Sequence, residues 1–208
     1  MVLNMPLEIL QLNSAKSDNF SYLVYCPVAL EGMAVDPSFA PDILLQSAAD
    51  KGVKIVILAN THGHSDHIAG NSVILEETDA RLAAHPLDVT ETEIPLEEGS
   101  TLSLGEGVIE VMHTPGHTPG SVIFKINGGI ITGDTLFVSR CGRADLAGSN
   151  VEDLYHSLQR IKRLPAPTKV YPGHDYGPMP VSTLAWELEN NEFIRCPDLE
   201  SFIRLRIG

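Results

Sequence analysis

The run His62-Gly63-His64-Ser65-Asp66-His67 constrains this chain more than any other stretch, because it packs four metal-ligand side chains into six residues. An apolar run, Val53-Lys54-Ile55-Val56-Ile57-Leu58-Ala59, precedes it and reads as a buried strand. Side chains alternate along a strand, so His62 and His64 project to one side if the extended geometry continues. Asp66 and His67 fall where the pattern turns helical and address a second nearby spot. A polar turn with surface histidines is the plainer reading, and the residues downstream argue against it.

Three further positions complete the set. His117 lies in Thr114-Pro115-Gly116-His117-Thr118-Pro119-Gly120, Asp134 follows the predicted strand Ile130–Thr132 through Gly133, and His174 sits in Pro172-Gly173-His174-Asp175 after Lys169–Tyr171. Each stands at a strand end behind a glycine that permits a tight turn. Imidazole and carboxylate together bind Zn²⁺, Fe²⁺ or Mn²⁺, and one carboxylate can bridge two cations. The expected allocation puts His62, His64 and His117 on a first metal and Asp66, His67 and His174 on a second, with Asp134 between them. Such a set leaves room for a hydroxide, as a catalytic site requires. His113, at a strand end, is expected behind the ligands or in the core. His85 and His156 read as structural or exposed, and Cys141 as a partly buried structural thiol.

The remaining pattern is two strand-rich halves with helices outside. Strands are predicted at Leu7–Leu12 and Phe20–Cys26 across the polar turn Ser14–Asn19, then at Met33–Val35, Lys54–Asn60 and Arg81–Ala84. Helices are predicted at Ile43–Lys51, stopped by Gly52, and at Ile68–Thr78. The second half offers strands at Thr101–Leu104, Val108–Met112, Val122–Ile126, Ile130–Thr132 and Lys169–Tyr171. Val151, Leu154, Leu158, Ile161 and Leu164 share a helical face behind the N-cap Asn150, and Leu184–Asn191 and Leu199–Leu205 close the chain as helices. An α/β (α+β) chain is expected, a four-layer αβ/βα sandwich forming one domain over residues 1–208, with a metal cleft at the strand ends.

Charge and composition exclude other classes. A net charge of −13, from 27 acidic and 14 basic residues, argues against nucleic acid as the main partner, because phosphate binding draws on clustered Lys and Arg. No apolar segment approaches the ~20 residues of a membrane span, and Met1–Glu8 has no basic region ahead of an apolar stretch. Cys26, Cys141 and Cys196 are scattered and do not resemble a disulfide framework, so a cytoplasmic location is expected.

The H-x-H-x-D-H run, followed in order by Gly116-His117, Gly133-Asp134 and Gly173-His174, resembles the metallo-β-lactamase fold family. The resemblance spans His62 to His174, the flanking strands extend it over nearly the whole chain, and it implies the αβ/βα sandwich. Asp36, in Val35-Asp36-Pro37, resembles a family position that braces the histidine loop. In true β-lactamases a cysteine is typical where Asp134 stands, which points away from antibiotic hydrolysis. Gly133-Asp134-Thr135-Leu136-Phe137 with Cys141-Gly142-Arg143 is similar to glyoxalase II, which hydrolyses glutathione thioesters. The fuller string Cys141-Gly142-Arg143-Ala144-Asp145-Leu146, with Tyr171-Pro172-Gly173-His174-Asp175-Tyr176 and Ser182-Thr183, more closely resembles persulfide dioxygenases. That second resemblance implies iron ligands at His62, His117 and Asp134.

The chain departs from both groups. Residues 178–208 hold no counterpart of the long helical segment with which glyoxalase II grips glutathione, and His67-Ile68-Ala69-Gly70 lacks a second glycine. Arg143 and Tyr176 are therefore the substrate-binding candidates carried over. The resulting expectation is a metal-dependent thioester hydrolase resembling glyoxalase II (hydroxyacylglutathione hydrolase-like), with two divalent ions, Zn and/or Fe, Mn being a further candidate. Asp66 serves both as a ligand and as the catalytic group that orients the nucleophile. The alternative is a mono-iron persulfide dioxygenase acting on glutathione persulfide with a single Fe. A non-catalytic metal protein fits poorly, since structural zinc sites close on four ligands, often cysteine. The expected partner is a small thiol ester or thiol derivative, with no nucleic acid and no membrane; a homodimer stays open.

Overall fold

Alternation along the strands builds the layers. In a computed structural model that describes residues 6–13 and 17–208, strands β1 (Glu8–Asn13), β2 (Phe20–Cys26), β3 (Glu31–Val35), β4 (Lys54–Ala59), β5 (Arg81–Ala84) and β6 (Ile94–Pro95) form one sheet in chain order. The second sheet is made from β7 (Thr101–Leu104), β8 (Gly107–His113), β9 (Val122–Ile126), β10 (Gly129–Gly133), β13 (Lys169–Pro172) and β14 (Ser182–Thr183), neighbours in that order. A small hairpin, β11 (Leu136–Phe137) and β12 (Arg140–Cys141), follows β10. Tyr22, Val24 and Cys26 of β2 enter a core shared with Leu102, Ile109, Val111, Phe124 and Ile131 of the facing sheet. The intervening Leu23 and Tyr25 point the other way.

Helices cover both outer faces. Leu44 and Ala48 of α1 (Pro41–Lys51) and Ile74 of α3 (Asn71–Glu77) pack with Leu23, Ala34 and Leu58 on the first sheet. Leu154, Leu158 and Ile161 of α4 (Val151–Ile161), Leu184 of α5 (Leu184–Asn190) and Phe202 of α6 (Leu199–Ile207) pack with Ile123, Ile130 and Val170 on the second. The expected αβ/βα sandwich is thus the observed architecture. Asn150 caps α4 as its sequence suggests, accepting from the amides of Glu152 and Asp153. Among the described residues no helix is long and apolar enough to cross a membrane, and the three cysteines are free.

One expectation needs correction. The helix predicted over Ile68–Thr78 is two pieces, α2 (Ser65–Ile68) and α3. The break comes from tertiary contacts: the Ser38 amide donates to the His67 carbonyl (3.0 Å), and Gly70 packs so closely on Pro37 and Pro41 that an added Cβ would come within 3.0 Å of either. The two-residue strands β6, β11, β12 and β14 were not predicted, because two residues carry no period. Of the predicted turn Ser14–Asn19, residues 14–16 lie outside the described part, as do residues 1–5.

The cleft position follows from strand direction. β3, β4 and β5 run parallel in one sheet and β10 and β13 in the other. Their carboxyl ends meet on one edge, stitched by Val122 N donating to Thr61 O, Gly173 N to Gly133 O and Phe20 N to Gly173 O, each at 2.8 Å. Ligands in open α/β sheets collect outside such carboxyl ends.

Candidate metal centre

All seven ligand candidates converge on this edge. His62 and His64 follow β4, Asp66 and His67 lie on α2, His117 lies in the β8–β9 connection, and Asp134 and His174 follow β10 and β13. Donor atoms of His62, His64 and His117 lie within 4.8 Å of one another, as do those of Asp66, His67 and His174. His64 Nδ1 is 2.9 Å from His117 Nε2, and His67 Nε2 is 3.1 Å from His174 Nε2. Asp134 stands between the trios: Oδ2 is 3.4 Å from both His117 Nε2 and His174 Nε2, and Oδ1 is 3.2 Å from His67 Nε2.

The route to this convergence differs from expectation. β4 ends at Ala59, so His62 and His64 stand in a loop and strand alternation does not align them. The glycines also differ among themselves. Gly116 and Gly133 take φ of 132° and 47°, conformations that favour glycine, whereas Gly173 has an ordinary φ and is needed for space. A Cβ on Gly173 would lie 2.5 Å from Asp134 Oδ1.

The donor set fits divalent cations. His62 Nε2 is buried without a hydrogen-bond partner, and Asp134 Oδ1, despite its contact with His67, accepts no hydrogen bond of normal geometry. Unpaired buried polar atoms are costly, and a cation in their midst satisfies them. Protonation points the same way. Burial pushes the His62 and His117 imidazoles below their ordinary value, His62 well below. Burial alone would raise the Asp134 carboxyl, but His67, His174 and His62 together hold it well below the usual carboxylate range. Neutral imidazoles and an ionised carboxylate are the forms that ligate metals. Burial opposes charge on His67, yet Asp134 and Asp36 outweigh it and raise that imidazole well above its ordinary value.

Partners outside the set orient each ring. Asp36 Oδ2 contacts His67 Nδ1 at 3.0 Å and accepts from Thr61 Oγ1 at 2.5 Å, while Oδ1 accepts from the Thr61 amide at 2.8 Å. Asp36 is a non-glycine residue at φ 46°, a strained conformation held by these bonds and by Ser21 Oγ donating to its carbonyl (2.6 Å). The geometry agrees with the bracing position that the sequence resembles. His117 Nδ1 faces the Arg143 carbonyl at 3.0 Å, so Nε2 points into the site. Asn19 Nδ2 donates to Asp66 Oδ2 at 3.0 Å.

A cleft of about 520 Å³ opens over the trios, lined by His64, Asp66, His117, Asp134 and His174 and walled by Phe137, Leu146 and Phe193. Arg143 and Tyr176, the expected substrate-binding residues, are among its lining. Tyr176 stacks on His174 (4.7 Å, 4°), and Arg143 is engaged with Asp145 through Nε and a terminal nitrogen at 2.9 and 2.8 Å. Two further arginines, Arg140 and Arg206, also line the cleft and were not predicted. Arg206 comes from α6, and its Nε donates to the Gly142 carbonyl at 2.7 Å. No motif marks it; only packing of α6 on α4 brings it there. Asn19, the partner of Asp66, is likewise marked by no motif.

The remaining candidates lie elsewhere. His113 is half-buried behind the His117 loop, its Nε2 2.9 Å from the Pro119 carbonyl. His85, expected to be structural or exposed, stacks on His113 with ring centres 4.4 Å apart. His156 is exposed on α4. Cys141 is buried, and burial pushes its thiol up to about 12, which suits a structural role.

Residues 32–174 match the family model of the metallo-beta-lactamase superfamily. A probable polyketide biosynthesis zinc-dependent hydrolase, BaeB, of Bacillus velezensis is 31% identical over 195 residues, covering 90% of this chain and 87% of that protein. A hydroxyacylglutathione hydrolase of Maricaulis maris is 36% identical over 165 residues, but the chain spans only 63% of its length. The mitochondrial persulfide dioxygenase ETHE1 of Bos taurus is 30% identical over 206 residues, covering 93% of this chain and 81% of that one. Among solved structures, ETHE1 from Myxococcus xanthus superposes with a TM-score of 0.91 at 30% identity, covering 96% of this chain and 89% of that one.

Proposed function

The chain belongs to the metallo-beta-lactamase superfamily, and on that premise we propose that it is a two-metal thioester hydrolase of the hydroxyacylglutathione hydrolase type. The observation that carries this reading is Asp134, placed between two complete trios with contacts of 3.2–3.4 Å to members of each. His62, His64 and His117 would hold one cation, Asp66, His67 and His174 the other, and Asp134 both. Bound divalent metal supplies two things here, a water acidified toward pKa ~7 and polarisation of the acyl oxygen.

The chain's own residues do the rest. Asp66, held by Asn19 and about one-third exposed, faces the cleft and can take the water's proton on its carboxylate while orienting the attack on the thioester carbonyl. The C–S bond then breaks and the thiolate leaves through the open side of the cleft. Phe137, Leu146 and Phe193 exclude water from the apolar part of the substrate, while Arg140, Arg143 and Arg206 offer positive charge to an anionic thiol carrier. Hydrolase kinship in BaeB and in the Maricaulis protein supports the same reading.

A second reading, a mono-iron persulfide dioxygenase, is favoured by the 0.91 TM-score to ETHE1. It uses only His62, His117 and Asp134 as ligands. Elemental analysis of the purified protein, with thioester cleavage and oxygen uptake on glutathione persulfide measured side by side, separates the two. Two metals with thioesterase activity are expected; one iron with oxygen consumption overturns the hydrolase.

A further inference from the structure

Asp88 lies in the turn after β5, outside the seven ligand candidates, and its carboxylate ties two separate loops together. Oδ2 accepts from the Gly63 amide (3.0 Å) and from Thr118 Oγ1 (2.6 Å), and Oδ1 accepts from the Gly120 amide (2.7 Å). Gly63 separates His62 from His64, and Thr118 follows His117 directly. None of the three donors adjoins Asp66, His67 or His174. The fit is tight on both sides: a Cβ on Gly63 would lie 2.8 Å from the Asp88 carbonyl, and one on Gly120 would lie 2.6 Å from its Cγ.

The two loops belong to different sheets, so their spacing is not set by a shared strand. His64 and His117 nevertheless face each other at 2.9 Å. The turn that carries Asp88 is itself anchored, since the Asp88 amide donates to the His85 carbonyl (3.0 Å) and the His85 ring stacks on His113 at the end of β8. A charged acceptor shared by three donors on two loops is therefore wedged between the supports of one trio.

We infer that Asp88 is a positioning residue that fixes the spacing of the loops bearing His62, His64 and His117, and so sets the affinity of that trio's cation without affecting the other. This rests on the metal-centre reading above. Outer partners of metal ligands typically control affinity by about 10–100-fold. Asn at position 88 keeps one acceptor oxygen but turns a donor group toward an N–H or O–H, so D88N breaks the brace with little change in volume.

The test is a Zn²⁺ competition titration against a chromophoric chelator, run on the wild-type chain, Asp88→Asn and Thr118→Val. In D88N one binding step should weaken about tenfold or more while the other keeps its wild-type affinity. Thr118→Val, which removes one of the three bonds, should weaken the same step by less; it carries the test alone if D88N does not fold. Unchanged affinities, or equal weakening of both steps, overturn the inference. If the wild type binds one cation, that single affinity should fall, and its constancy overturns the inference equally. A wild-type chain that binds no cation fails the metal reading instead, so the two failures are distinguishable.

Discussion

The two halves of the site are supported by different means. In the second half a carboxylate grips a ligand ring directly, Asp36 on His67 Nδ1 at 3.0 Å. In the first half the bracing acid, Asp88, holds backbone amides and one hydroxyl beside the ligands and touches no ligand ring. A ring grip fixes orientation and tautomer of one imidazole. A backbone grip fixes where a loop lies, and with it every side chain the loop carries. The two trios thus differ in kind of support, although Asp36 also reaches the first one through Thr61 beside His62.

The largest expected effect comes from Asp134→Ala, because that carboxylate serves both halves. Activity should be lost and metal content should fall for both cations, with far-UV circular dichroism unchanged. Full activity with normal metal content would rule out the shared role. Next in size is Asp36→Ala, which leaves the Thr61 amide, the Thr61 hydroxyl and His67 Nδ1 without their acceptor. Denaturant unfolding should show a loss of about 3 kcal/mol, the scale of buried groups left unsatisfied. The same variant should weaken the second-half cation by about 10–100-fold and the first-half cation by less, since Asp36 also holds Thr61 beside His62. A loss confined to the first half would break the comparison. Smallest is Arg143→Ala, which removes a side chain that touches neither half: it is 59% exposed and paired with Asp145. Steady-state kinetics should show KM for an anionic thioester rising on the order of tenfold or less, with metal content unchanged. An unchanged KM removes Arg143 from substrate binding.

The contrast also explains what could be read early. The ligand residues announced themselves because imidazole and carboxylate at strand ends are chemically distinctive, and Asp36 showed itself through the family resemblance. Asp88 did not, because an acid in a turn after a strand looks like any solvated turn, and its partners are two glycine amides and a threonine. Arg206 was hidden for a related reason: it lies on a short helix whose direction depends on packing against α4. The continuous helix predicted after His67 failed because Ser38, distant in sequence, captures the His67 carbonyl.

By itself, then, the sequence determined the layers and the candidate ligand set, since period-two alternation and residue type are local properties. Tertiary structure decided how His62 and His64 converge from a loop, where Asp134 lies relative to both trios, and which carboxylates brace which half. Those outcomes depend on the spacing of loops from two different sheets, and backbone hydrogen bonds that set such spacing carry no side-chain signature.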